Sequence, residues 1–202
     1  MEFAAASESV AVESLGIDRQ RDVGAGEVVF VDMAMQMHTH VDALVQPLRP
    51  CIFEYVYLAR PDSVMDNISV YEARVQMGVR LAARVRRLRV KETGERVHVV
   101  DEGDEGYEAS LPKLEDLVDV VMAVPDTSRH TALSIATTLS KRYIEGLSKN
   151  RYIARTFIMP AQELRQKSIR IKHNPIHDAV KGLSVLVVDD SIVRGNTTMM
   201  LV

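Results

Sequence analysis

Twelve residues, Val187 to Thr198 (VVDDSIVRGNTT), collect groups suited to a phosphorylated, hydroxyl-rich ligand. Asp189 and Asp190 are adjacent, and in an extended segment neighbouring side chains point to opposite faces. They are therefore expected to do separate jobs rather than share one proton as a dyad. Carboxylate oxygens of this kind suit hydroxyl groups and hard cations such as Mg²⁺. After them come a glycine, two threonine hydroxyls and successive backbone N–H groups running into an apparent helix at TTMMLV. Such N–H groups at a turn and helix start cradle a phosphate. Gly195 lets the backbone approach it closely. A phosphosugar satisfies both halves, with the acids on ribose hydroxyls and the loop, Ser191 to Thr198, on a 5′-phosphate.

These groups need elements to hold them. Val185 to Val188 form an apolar run expecting cover on both faces, so Asp189 and Asp190 emerge at the carboxyl end of a central, buried strand. VDVVMAVPD, ending at Asp126, repeats the design and leads into TSRHTALSIATTLSKR, where Ala132, Ile135, Ala136 and Leu139 mark a helix face. From Ser69 to about Lys91, Met77, Leu81, Val85 and Leu88 fall at spacings of four, four and three, with Arg74, Arg80, Arg84 and Arg87 between them, as in one amphipathic helix. Apolar strands alternating with such helices predict an α/β fold with a parallel sheet. GEVVFVDM, near turn signals at Gly24 and Gly26, reads as strand and loop, and a hairpin is expected about Val97 to Val100. His38 to His40 (HTH) reads as surface, with no cysteine or acidic cluster to complete a metal site.

Composition narrows the classes. The chain has 202 residues, 47% apolar and 26% charged, which suits a globular protein. No apolar run is long enough to span a bilayer, the start shows no secretory signal, and the lone Cys51 fits a reducing compartment, so a cytoplasmic location with no membrane association is expected. The net charge of −3 hides an asymmetry. Asp101 to Asp119 carries eight acids against Lys113, while Lys141 to Lys172 carries nine bases against Glu145 and Glu163. The basic run could be a solvated face or could meet a polyanion. It contains no nucleic-acid-binding signature, so no nucleic-acid partner is expected.

The wording of VVDDSIVRGNTT closely resembles the phosphoribosyl-pyrophosphate signature of the type I phosphoribosyltransferases. CIFEYVYLARPDS (Cys51 to Ser63) and KNRYIARTFIMP (Lys149 to Pro160) resemble stretches of one branch, the amidophosphoribosyltransferases, and ASESVAVESLG resembles the end of that branch's glutaminase domain. The resemblance implies an incomplete, Rossmann-like type I transferase domain over residues 49–202, preceded at residues 1–48 by the tail of an N-terminal-nucleophile glutaminase domain. It implies a reaction of purine biosynthesis in which glutamine-derived ammonia displaces pyrophosphate from phosphoribosyl pyrophosphate, giving 5-phosphoribosylamine. Purine nucleotides are implied as inhibitors and a homo-oligomer as the assembly.

Residue by residue, the resemblance implies Mg²⁺ at Ser128, Asp189 and Asp190, and the 5′-phosphate at Arg194, Gly195, Asn196, Thr197 and Thr198. Lys149, Asn150, Arg151 and Arg155 correspond to a loop that closes over the substrate, with Phe157 and Ile158 along an ammonia passage. Ala154 stands where the family usually has glycine, and Asn196 replaces a frequent threonine. Cys51 lies where some members place an iron–sulfur ligand, but one cysteine does not hold a cluster. The acidic excursion over residues 91–116 looks like an insertion. Because the numbering opens Met1-Glu2 and closes at Val202, the sequence reads as a truncated chain, without glutaminase activity and inactive alone. The competing readings are a non-catalytic fragment that binds phosphoribosyl pyrophosphate or a nucleotide, and another type I transferase without glutamine chemistry.

Overall fold

The computed structural model describes residues 3–42, 47–93, 96–150 and 173–192. The chain forms two compact units, residues 1–73 and 74–202.

In the first unit, α1 (Ser9–Glu13) leads to a hairpin of β1 (Glu27–Val31) and β2 (Met37–Val41), registered from Glu27 opposite Val41 to Val31 opposite Met37. Asp32 makes the turn. Its Oδ1 accepts the backbone N–H groups of Ala34 and Gln36, each at 2.9 Å, and its Oδ2 lies 2.8 Å from His38 Nε2. His38 to His40 is exposed, as expected, but His38 has an acidic partner that the sequence did not reveal. The CIFEYVYLARPDS motif contains a π-helical turn, Glu54–Leu58, in which Tyr55 is buried and donates to the Met65 carbonyl at 3.2 Å. Glu8 ties the motif to α1, with Oε2 accepting from the Arg60 N–H at 2.7 Å and the Ser63 hydroxyl at 3.0 Å. A tight pair, β3 (Val64–Met65) and β4 (Ile68–Ser69), then enters α2 (Val70–Arg87), which continues into the second unit.

The second unit carries the sheet. β5 (Arg89–Thr93) and β6 (Arg96–Val100) pair from Arg89 opposite Val100, a longer hairpin than expected. Then follow α3 (Leu114–Leu117), β7 (Val120–Ala123), α4 (Arg129–Thr138), β8 (Arg142–Ile144), β9 (Leu147–Lys149), β10 (His173–Pro175), α5 (His177–Val180) and β11 (Val185–Val188). β7 lies between β11 and β8 and is parallel to both, so the fold is α/β with a parallel sheet. Among the described residues β7 lies between its two neighbours and β11 forms an edge. β7 is buried throughout and has helices on both faces. Val121 and Ala123 pack with Ala82 of α2, with Ala132, Ile135 and Ala136 of α4, and with Leu139, which caps α4. Met122 and Val124 face Leu147 and Val180 of α5.

α2 is correctly read as a helix but turned from its expected face. Met77 is half-buried and Leu81 is 47% exposed, while the buried positions are Val70, Arg74, Gly78 and Ala82. The reason is a close helix pair. A Cβ on Gly78 would stand 2.6 Å from the Thr131 carbonyl oxygen and 2.7 Å from Ser134 Cβ, so α2 meets α4 through its smallest side chains. Ser134 and Thr131 stitch the contact, their hydroxyls donating to the Val75 carbonyl at 2.8 Å and the Arg74 carbonyl at 3.2 Å.

The acidic excursion is not a free solvated run. Asp101 is buried and receives Arg84 at 2.8 Å and Arg87 at 3.6 Å, Arg86 reaches Glu115 at 3.5 Å, and Lys91 reaches Glu108 at 3.7 Å. Arg89 lies 5.8 Å above the Tyr107 ring. The segment is an electrostatic strap over the basic end of α2.

Candidate functional site

Parallel pairing of β7 with β11 places both carboxyl ends on one edge of the sheet. Val188 is registered opposite Ala123, and the Val124 N–H donates to the Val188 carbonyl at 2.8 Å. The chain therefore delivers Asp189 and Asp190 beside the turn Pro125 to Ser128, from which α4 departs. Thr127 donates its hydroxyl to Asp190 Oδ2, and Ser191 donates to Asp190 Oδ1 at 2.8 Å. Asp189 Oδ1 accepts the Asp190 N–H at 2.9 Å. Asp189 and Asp190 thus accept different donors.

Burial, more than any neighbour, raises the affinity of Asp189 for a proton; the charge of Asp190 adds to this, while the Asp190 N–H opposes it. A carboxylate deprived of water in this way gains from an added cation. Arg74 is 2% exposed, and its proton is loosened by burial while the charge of Asp190 holds it. His130 is biased toward its neutral form, first by burial and then by the charges of Arg74 and Arg129.

A second set of charges sits on the other side of the turn. Lys149, at the end of β9, pairs through Nζ with Asp126 Oδ2. Arg129 reaches Asp126 Oδ1 at 3.8 Å and Glu145 at 3.6 Å. The arrangement brings carboxylate oxygens, hydroxyls and basic groups to one turn, which suits a hydroxylated anion.

Of the residues expected at the site, Asp189, Asp190, Ser191 and Ser128 gather at the carboxyl ends of β7 and β11, while Lys149 ends β9 and Asn150 follows it. Ser128 is 2% exposed and donates its hydroxyl to the Val124 carbonyl; the hydroxyl contact to the acids comes from Thr127 instead. Arg151, Arg155, Phe157, Ile158, Arg194, Gly195, Asn196, Thr197 and Thr198 lie outside the described residues. Among the described residues no group of three or more His, Cys, Asp or Glu side chains is placed to hold a metal, and no helix is long and apolar enough to cross a membrane. The hard oxygen donors of Asp189 and Asp190 do fit Mg²⁺ chemically, with the remaining ligands left to substrate and water. Sequence reasoning missed Arg74, Asp126 and Thr127. Arg74 was read as part of a solvent-facing arginine row, and the only signal against that was the small-residue row Gly78 and Ala82 on the same face.

No family model matches the chain. Amidophosphoribosyltransferase of Pseudomonas aeruginosa is 43% identical over all 202 residues, which cover 36% of that protein. The enzymes of Escherichia coli K12 and Saccharomyces cerevisiae are 44% and 42% identical over the whole chain, which covers 35% of each. Among solved structures, the glutamine phosphoribosylpyrophosphate amidotransferase from B. subtilis complexed with ADP and GMP superimposes with a TM-score of 0.69 at 33% identity, over 96% of this chain and 36% of that one. A second, described as the allosteric regulatory enzyme of purine biosynthesis, gives 0.68 at 33% identity, over 96% of this chain and 36% of that chain. The chain thus spans about a third of the length of the relatives it matches. Over its whole length, the chain is similar to about a third of an amidophosphoribosyltransferase.

Proposed function

We propose that this chain supplies the phosphoribosyl-pyrophosphate site of an amidophosphoribosyltransferase of purine biosynthesis. The whole protein would transfer glutamine-derived ammonia to phosphoribosyl pyrophosphate, giving 5-phosphoribosylamine, glutamate and pyrophosphate. The observation that carries this reading is Asp189 and Asp190 at the carboxyl end of β11, next to the Thr127 turn that opens α4. The family division, with residues 1–48 as the tail of the glutaminase and 49–202 as the first part of the transferase, belongs to the same proposal. So do a cytoplasmic location, a homo-oligomeric assembly and purine-nucleotide inhibition. The last is supported by the B. subtilis neighbour, which was solved with ADP and GMP.

In this reading Asp189 and Asp190 hold the ribose hydroxyls and Mg²⁺, with Ser128 beneath them. Bound Mg²⁺ supplies charge neutralisation of the pyrophosphate. Ser191 and Arg194 to Thr198 receive the 5′-phosphate. Lys149, Asn150, Arg151 and Arg155 bring positive charge to the departing pyrophosphate, where stabilising the developing charge lowers the barrier. Thr127 and Ser191 orient Asp190 by donating to its two oxygens, which fixes the acid before ligand arrives. Calorimetric titration of the chain with phosphoribosyl pyrophosphate, with and without Mg²⁺, tests the site. Saturable binding that requires Mg²⁺ is expected, and no binding in either condition overturns the reading.

A further inference from the structure

A carboxylate at the rim of a site for a polyanion works against binding unless it has another task, and Asp126 is such a carboxylate. It lies in the turn between β7 and α4, one residue before the Thr127 that donates to Asp190. Its Oδ2 pairs with Lys149 Nζ, and its Oδ1 lies 3.8 Å from Arg129 Nη2. Arg129 in turn reaches Glu145 at 3.6 Å. Lys149 is set in place by β9, where it is registered opposite His173, so its backbone does not depend on Asp126.

We infer that Asp126 is a positioning residue that holds the Lys149 ammonium at the site as a stand-in for a phosphate and surrenders it when a pyrophosphate group arrives. This rests on the phosphoribosyl-pyrophosphate reading above. The exchange is feasible because the pair is weak. The side chain of Asp126 is 54% exposed and that of Lys149 26%, and a pair so open to water contributes little. A phosphate carries more charge than a carboxylate and makes stronger charge-assisted bonds to an ammonium. Asp126 is not stranded by the exchange, since Arg129 remains beside its other oxygen. Asp126 thus biases Lys149 toward the site, by no more than an exposed pair supplies, at the expense of some affinity for the anion.

The test is a double-mutant cycle on the full 202-residue chain, read by calorimetric titration with inorganic pyrophosphate in the presence of Mg²⁺. Asp126→Asn is expected to tighten pyrophosphate binding about two- to fivefold, the range an exposed pair contributes. In a Lys149→Gln background the same change is expected to give a clearly smaller gain, because the ammonium it would release is gone. An equal gain in both backgrounds would mean that Asp126 acts only through its general field, and weaker binding by Asp126→Asn would mean that it supports the anion; either result overturns the inference. Asp126→Ser, run through the same cycle, guards against an effect peculiar to the Asn side chain. Absence of pyrophosphate and phosphoribosyl-pyrophosphate binding by the unsubstituted chain overturns the site reading and this inference with it, whereas binding without coupling overturns only the inference.

Discussion

Gly78 of α2 and Thr131 of α4 face each other so closely that a Cβ on the glycine would stand 2.6 Å from the threonine carbonyl oxygen. That wall is backbone and yields only if the helices separate. Gly78→Ala is therefore expected to destabilise the second unit by about 1–3 kcal/mol, the usual cost of overpacking. Gly146 provides the contrast, because there the nearest obstacles are the side chains of Met122 and Val180. Gly146→Ala should cost less, since methionine repacks readily. Denaturant midpoints of the two variants check the order, and a larger loss for Gly146→Ala contradicts it.

Asp190 accepts a hydrogen bond on each carboxylate oxygen, from the Thr127 and Ser191 hydroxyls. Asp190→Asn keeps the shape and removes the charge. Binding of Mg²⁺-phosphoribosyl pyrophosphate should weaken by about 1–3 kcal/mol, the range for a charge-assisted contact. Equal affinities for the two proteins in calorimetry would count decisively against the assignment.

Asp101 anchors the acidic strap by receiving Arg84 and Arg87 while itself shielded from water. Asp101→Asn is expected to cost about 1 kcal/mol, limited by the exposure of both arginines. Amide exchange at Glu102 to Tyr107 should rise in the variant. In the unsubstituted chain the same amides should exchange faster as salt is added, because screening weakens the strap. Insensitivity to both changes would show that packing, not charge, holds the segment.

Asp32 is held below the ordinary carboxylate range, first by its bond to His38 and then by the Gln36 and Ala34 N–H groups. A depressed folded-state pKa means that the contribution of Asp32 to the β1–β2 turn is present above the unfolded carboxylate value. It is lost as pH falls through the lower, folded value. Amide shifts of Ala34 and Gln36 followed against pH should therefore move together with a midpoint below about 3.9, the ordinary value for a free aspartate. A midpoint at or above that value would remove Asp32 from the turn.

The sheet strands and α4 were legible because their signal is local. Val120 to Ala123 and Val185 to Val188 are short apolar runs closed by acids or proline, and the row Ala132, Ile135, Ala136 and Leu139 is the face α4 buries. The face of α2 was not legible, because the hydrophobic row Met77 and Leu81 competes with a row that is buried for its smallness, and only the partner helix decides between them. Arg74 was misread for the same reason. The two acids could be read from the order of residues around them, whereas Asp126 and Thr127 gained a role only when β7 was laid beside β11. Whether His38 stands alone or paired depended on the hairpin register, which brings Asp32 to it across the turn.

β7 has two parallel neighbours at very different distances along the chain, and this sets a sequence of events in time. β8 follows after the single helix α4, so β7, α4 and β8 can close as a local unit, while β11 must wait for β9, β10 and α5. Contacts with short loops form early, and those that close long loops form late. The edge that carries Asp189 and Asp190 should therefore be the last part of the sheet to dock in folding and the first to leave in unfolding. Val187→Ala should speed unfolding and leave the folding rate nearly unchanged, while Val121→Ala should slow folding. The strand that brings the acids is thus the one whose departure dismantles the site while the β7–α4–β8 unit is still standing.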